Sequence, residues 1–397
     1  MRGRSRSAAV LTGLGLAAMA LVASATAEAA GSATIRMAEL PLNGDVAPSS
    51  RSGLDINDRG QITGMTESAA QRGQFRVVRW DPAPGGHRVR ALSPYQEGYR
   101  TSINERGDVL GRNGADLVIW DRNGQVAATV APVPDVKAEW LLSFNDRRQV
   151  MWADGIAQLS GLPTRAVRWS PGGRIDTSHP PEHTGTVIPE RLNNRGIAAG
   201  SLWGAQSTGF VWDGRTVTAV LGPGGSEVSS LVGFNDRGQS VGVMEAQGRM
   251  FVHHRGRSVD LGDLGGGWAW SHPIAAHAAI NGKGQIVGVS ATASGEVHPF
   301  LWDKGKMTDL GTLGGPAANW GDVFATAVND LGQVLGTSKT PDGESHPFVW
   351  DRGRIHDLHV PGSISTTATD INDRGQIVGT VTTQSGTRPV IWTIERS

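Results

Sequence analysis

The sequence predicts an all-β fold, a β-propeller of eight four-stranded blades. Three observations predict it. The phrase apolar-Asn-Asp-Arg-Gly-Gln-apolar recurs eight times without a gap, its Asn at Asn57, Asn104, Asn145, Asn193, Asn235, Asn281, Asn329 and Asn372, 41 to 48 residues apart. That period is the size of one propeller blade. Gly makes up 55 of 397 residues and charged residues only 19%, which favours many turns and short strands over long helices. Cys is absent, so burial and backbone hydrogen bonding must hold the fold, and disulfides, thiolate metal sites and a Cys nucleophile are excluded.

In chain order, Arg2, Arg4 and Arg6 precede an apolar run from Ala8 to Ala23, followed by small residues at Ala25, Ala27 and Ala29. This is the three-part pattern of a secretory signal peptide over residues 1–29. It predicts a secreted, soluble, monomeric protein with no membrane span after cleavage. The ring is then expected over residues 33–397 as a single domain. In each copy strand a ends at the Asn and is built from small residues, as in "FATAV" before Asn329, which suits an innermost strand crowded round an axis. Strand b ("QIVG") and strand c ("PFLW") are apolar at successive positions, as when both sheet faces are covered. Strand c ends in Trp80, Trp120, Trp169, Trp212, His253, Trp302, Trp350 or Trp392, rings expected to fill the space between blades. A tight turn then leads to strand d ("KMTDLG"). "IRMAELP" at Ile35–Pro41 reads like a strand d without its blade, and Trp392 is followed by none. The N-terminal strand is therefore expected to complete the last blade and close the ring. Seven blades would follow if one copy were degenerate.

The phrases "INDRGQIVG" at Ile371, "HPFLWDKGKMTDLGTLGG" at His298 and "DLGDLGG" at Asp260 resemble the HAF-family extracellular repeat. The resemblance covers nearly all of the chain after the signal segment and implies a secreted, mainly bacterial repeat protein. It implies no particular reaction.

Formal net charge is zero, which argues against a nucleic-acid partner bound by phosphate neutralisation. The Asn-Asp-Arg-Gly phrase lacks the oxygen ligands of a calcium loop and reads as a turn between a and b. No metal, cofactor or nucleophile motif is found. Four positions before the strand-c Trp the residue is Arg76, Asp116, Arg165, Thr208, Arg249, His298, His346 or Arg388, read as an inter-blade hydrogen bond or ion pair.

The a–b and c–d turns are tight and share one side of the ring, while the longer b–c and d–a connections share the other. Six Trp lie outside the repeat position, all assigned to those connections: Trp140, Trp268, Trp270 and Trp320 at d–a, Trp152 and Trp203 at b–c. With His272 and His277 they form the candidate ligand-binding face, suited to a glycan, a cell-wall polymer or a secreted protein. A hydrolase or lyase using the same face is the alternative, with Asp135, Glu139, His272, His277 and Asp322 as its acid–base candidates. A purely structural surface repeat is the third reading.

Overall fold

The computed structural model describes residues 34–47, 53–96, 101–114, 116–130, 143–154, 165–178, 186–203, 207–271, 279–317 and 321–395. The expected signal segment lies outside these. Eight four-stranded antiparallel sheets follow one another round a ring. Seven have the order a-b-c-d along the chain; blade 1, for example, is Asp55–Ile56, Ile62–Glu67, Phe75–Ala83 and Gly86–Ala91. The eighth holds Ser365–Ile371, Gln376–Thr383 and Gly386–Glu395, and its outer strand is the N-terminal Thr34–Glu39. That strand pairs with Met37 opposite Trp392. The fold is thus an eight-bladed propeller closed by its own N-terminus.

The register explains the repeated Trp. Ile62 faces Trp80, Ile286 faces Trp302 and Ile377 faces Trp392, so the ring always stands beside the first apolar residue of strand b. Trp80, Trp120, Trp169, Trp212 and Trp392 are buried, and Trp302 and Trp350 are half-buried. Trp80 clusters with Val378 and Ile391 of blade 8, and Trp169 with Leu110 and Ile119 of blade 2. Each ring therefore fills the gap to the preceding blade. Burying a Trp side chain removes roughly 150–250 Å² from water, about 4–6 kcal/mol before ordering costs.

Strand b carries Gly seven residues after the Asn in every blade but the third. A Cβ there would come within 1.9 Å of the Thr367 carbonyl at Gly379 and 2.4 Å of the Phe324 carbonyl at Gly336. Blade 3 has Trp152 instead, and this ring is buried beside Leu110, Ile119 and Val167.

In the a–b turns Gly60 donates its N–H to the Asn57 carbonyl at 2.9 Å, and the same bond recurs at Gly107, Gly196, Gly238, Gly284, Gly332 and Gly375. These glycines have φ between 72° and 87°, the left-handed region that costs a Gly little. In blade 3 Arg148 takes that position at φ 60°. Its guanidinium grips Asp108 with bonds of 2.9 and 2.7 Å.

Blade 6 departs from the expected layout. Its inner strand is Gly265–Trp270, with a register shift between Gly265 and Ala269, and Ile280 rejoins strand b as an isolated bridge to Ile286. Trp268 and Trp270 are therefore strand residues, where a connecting loop was expected. Their alternation with Ala269 puts both rings on one face.

Candidate functional site

Of the eight candidate ligand-binding residues, Trp140, Trp320, His272 and His277 lie outside the described residues, as do Asp135 and Glu139. The other four behave differently from one another. Trp152 is only 4% exposed. It stands mid-strand at the Gly position of the repeat and packs between blades, so it offers no ring face to a ligand. Trp268 and Trp270 are half-buried against Val289, Val297, Val323 and Phe324 at the junction of blades 6 and 7. Trp203 ends strand b of blade 4 and is 49% exposed. Its Nε1 donates to the Ser229 carbonyl of blade 5 at 2.9 Å, which fixes the ring across the junction of the two blades. Asp322 is half-buried and already engaged with a partner.

A carboxyl not anticipated from the sequence lies in the same blade as Trp203. A bulge between Pro189 and Arg191 inserts Glu190 into the inner strand Thr186–Leu192. Ser201, two residues before Trp203 and on the same strand face, donates to Glu190 Oε1 at 2.7 Å. The Ser201 hydroxyl in turn accepts the Leu231 N–H at 3.1 Å. Glu190 Oε2 is buried without a hydrogen-bond partner. Desolvation pushes this carboxyl up to about 7, against the lowering influence of Ser201 and Arg191.

The basic position before the Trp has a different job from the expected inter-blade one. Arg249 pairs with Asp260 at 3.1 Å, His298 with Asp309 at 2.8 Å and His346 with Asp357 at 2.7 Å. Each pair joins strands c and d of one blade, because strand pairing places the end of d beside the start of c. Asp260 and Asp309 open the "DLG" loops and Asp357 the equivalent "DLH", where Asp309 Oδ1 accepts the Gly311 N–H and Asp357 Oδ1 the His359 N–H. Leu264 and Leu313 then donate their N–H to Ser290 and Ser338 of the next inner sheet region. "DLGTLGG" is therefore a docking loop between blades.

In blade 1 the equivalent residue, Arg76, turns to Asp45 at 2.7 Å. Asp45 also accepts from Thr66 at 2.5 Å and from the Tyr95 hydroxyl. It lies on the segment that leads from the closing strand into blade 1.

The tight-turn side holds a hub that turn chemistry alone did not reveal. Each of the eight buried Asn donates from Nδ2 to the backbone carbonyl of the next Asn, from Asn57 to Asn104 at 3.0 Å onward to Asn372 and back to Asn57 at 2.9 Å. Each Oδ1 accepts two N–H groups of its own turn, as Asn57 does from Arg59 and Gln61 at 3.0 Å. An Asp in this place has no N–H to give to the neighbour. The presence of Asn in all eight copies, with no Asp among them, is the signal in the sequence. Beside this ring runs a second. In six of the eight turns the residue after the Asn accepts the N–H of its counterpart one blade earlier: Asp58 donates to Glu105 at 3.0 Å, Glu105 to Asp146 at 2.8 Å, and Asp373 to Asp58 at 2.7 Å, with Asn194, Asp236 and Asp373 accepting likewise. Six of these eight residues are carboxylic, with Asn194 and Gly282 as the exceptions. The next residue is exposed in every turn and is Arg or Lys in all but Leu331.

Among the described residues no three His, Asp or Glu side chains converge to hold a metal ion, and no helix is long and apolar enough to cross a membrane.

No family model matches the chain, and no curated protein matches it in sequence. Solved structures do share its fold. Dipeptidyl peptidase 4 of Porphyromonas gingivalis is 14% identical with a TM-score of 0.54, the match covering 84% of this chain and 56% of that one. A streptogramin B lyase structure is 12% identical with a TM-score of 0.44, covering 91% and 98%. The β-propeller domain of the trilobed protease from Pyrococcus furiosus is 9% identical with a TM-score of 0.48, covering 87% and 96%. At 14% identity the likeness to the peptidase is one of fold alone.

Proposed function

We propose that this chain is a secreted HAF-type binding propeller whose long-loop face takes a glycan polymer, with Trp203 as the stacking platform. One observation carries the reading. Trp203 is a large aromatic left half-exposed while its indole N–H is tied down. A ring so fixed loses little freedom on stacking against a sugar face. Trp268 and Trp270 extend the same side of the ring, and a secreted protein is the other partner class that such a face suits. The signal-like N-terminus and the HAF-like phrases support an extracellular address.

A second reading, a hydrolase or lyase, is favoured by Glu190. A buried carboxyl held near neutrality in the blade that bears Trp203 is a suitable general acid. One experiment tests both. The full chain is sedimented with insoluble peptidoglycan, chitin and cellulose, and soluble product is assayed in parallel. Binding to one polymer that Trp203→Ala reduces by tenfold or more supports the platform. Retention of full binding by Trp203→Ala sinks it. Release of product, abolished by Glu190→Gln with binding intact, would replace the binding reading with the catalytic one.

A further inference from the structure

A formal net charge of zero conceals an uneven distribution over the two sides of the ring. In the a–b turns the exposed Arg and Lys are nearly balanced by the carboxylic residues beside them. The c–d turns of blades 5, 6 and 7 are different. From the last residue of strand c to the first of strand d they read "HRGR", "DKGK" and "DRGR". Strand pairing sets His254 opposite Arg257, Asp303 opposite Lys306 and Asp351 opposite Arg354. The three turns are therefore built alike, and each places two cations at the same level of its blade. Arg255, Arg257, Lys304, Lys306, Arg352 and Arg354 are all exposed. The two acids of these turns are engaged within their own blades: the half-buried Asp303 accepts from Gln285 Nε2 at 3.3 Å, and the buried Asp351 from Gln333 Nε2 at 3.2 Å. Blade 5 has His254 in that place.

Turn chemistry does not call for these cations. Arg255, Lys304 and Arg352 have φ of 51°, 50° and 49°, in the left-handed region where a two-residue hairpin turn favours Asn or Gly. A long basic side chain at such a position serves the surface and not the turn. Leu331, at the tip of the a–b turn of blade 7, is 44% exposed where the other seven copies carry Arg or Lys. On the opposite side of blades 6 and 7 the b–c connections expose Glu296, Asp342 and Glu344. These blades are thus basic on one side and acidic on the other.

We propose that the tight-turn rim of blades 5 to 7 docks the ring on an anionic phospholipid surface, with Leu331 reaching the headgroup layer and the long-loop face turned away.

Three features fit a bilayer surface. Six cations at one level on neighbouring blades match a sheet of phosphates, which presents many charges in one plane. An exposed Leu beside cations suits the boundary between headgroups and acyl chains, and it adds nothing to attraction for a soluble polyanion. The opposed charge of the other side orients the ring, since an anionic surface attracts one side and repels the other. Docking in this way leaves the Trp203 face open, whatever that face binds.

Every strand of the closed ring lies within residues 34–395, so the chain without residues 1–29 is tested and the apolar run Ala8 to Ala23 cannot itself enter a bilayer. It is sedimented in about 0.1 M salt with vesicles of phosphatidylglycerol and phosphatidylcholine, and with vesicles of phosphatidylcholine alone. Capture by soluble heparin is measured in parallel. The protein should bind the anionic vesicles, ignore the neutral ones and dissociate in about 0.5 M salt. Each Lys or Arg near an anionic membrane strengthens binding about fivefold, so the triple variant Arg255→Asn, Lys304→Asn and Arg352→Asn should lose about 100-fold. The same variant should melt no lower than wild type, because Asn enters the left-handed region readily. If it melts lower, Arg257→Gln, Lys306→Gln and Arg354→Gln, at ordinary strand positions, decide in its place with the same loss expected. Leu331→Ser should weaken vesicle binding by about threefold or more and leave heparin capture unchanged. No binding to anionic vesicles, equal binding to neutral ones, or a triple variant within about threefold of wild type overturns the docking. Capture by heparin without binding to vesicles, or unchanged vesicle affinity in Leu331→Ser, overturns lipid as the occupant.

Discussion

At the scale of single residues, the same side chain often does two jobs in this ring. The repeated Asn closes its own turn through Oδ1 and ties down the next blade through Nδ2. Asn329 shows both, giving Nδ2 to the Asn372 carbonyl at 2.8 Å and taking the Leu331 and Gln333 N–H groups at 3.1 and 2.9 Å. Asn329→Asp keeps the turn closure and removes the bond to the next blade. It also brings a charge beside Asp330 and Asp373. The expected cost is about 2–4 kcal/mol, from the lost amide bond to the Asn372 carbonyl, which keeps only the Gly375 N–H, and from an uncompensated charge. Urea unfolding at pH 7 measures it; a loss under about 0.5 kcal/mol would mean that the ring of amides is ornamental. The turn reading of this phrase was legible because Asn, Asp and Gly form turns by known mechanisms. The inter-blade bond was hidden, since no single copy shows which carbonyl will stand opposite its amide.

At the scale of elements, the closing strand would be a weak latch if edge pairing were all that held it. Its residues are mostly exposed. The chain then turns inward, where Leu40 is buried among Ile56, Trp80 and Ile391 and the Trp80 Nε1 donates to the Pro41 carbonyl at 2.7 Å. Asp45 finishes the latch with Arg76, Thr66 and Tyr95. Asp45→Asn should lose about 2 kcal/mol, the worth of charge-assisted bonds partly replaced by a neutral amide. It should also release Tyr95. The hydrogen bond to Asp45 is the main influence that holds the Tyr95 phenol above its ordinary range. Ultraviolet titration of the variant should show one tyrosine ionising at lower pH than in wild type. An unchanged titration would place the latch elsewhere. The closing strand itself was legible as a strand d without its blade. The latch was not, because Asp45, Arg76 and Tyr95 are brought together only after the ring has closed.

At the scale of the whole molecule, the blades form a loop of nearest neighbours. Each apolar cluster spans two blades, as Val287 and Leu301 of one meet Val334 of the next. Open repeat arrays can unfold piecemeal from their ends. A closed ring with a continuous hub has no end from which to start. Unfolding in urea should therefore give coincident curves by far-ultraviolet circular dichroism and by Trp fluorescence. Separated midpoints would show that some blades melt while others persist.

The sequence by itself determined the blade count, the strand order within each blade, the role of the repeated Trp and the way the ring closes. The first three are written eight times over, in spacing and in apolar pattern, and repetition averages away local exceptions such as His253; the closure is written once, in a strand d without its blade. Only the tertiary structure decided which unrepeated residues face outward. Trp152 and Trp203 looked alike as stray aromatics, yet one is 4% exposed and the other 49%. The difference lies in the strand position of each: Trp152 takes the place of the inward Gly, and Trp203 stands at the strand's open end. The hub, the latch and Glu190 likewise depend on which groups meet once the chain has folded, 47 residues apart for Asn57 and Asn104, 31 for Arg76 and Asp45 and 11 for Ser201 and Glu190, and local chemistry carries no record of such meetings.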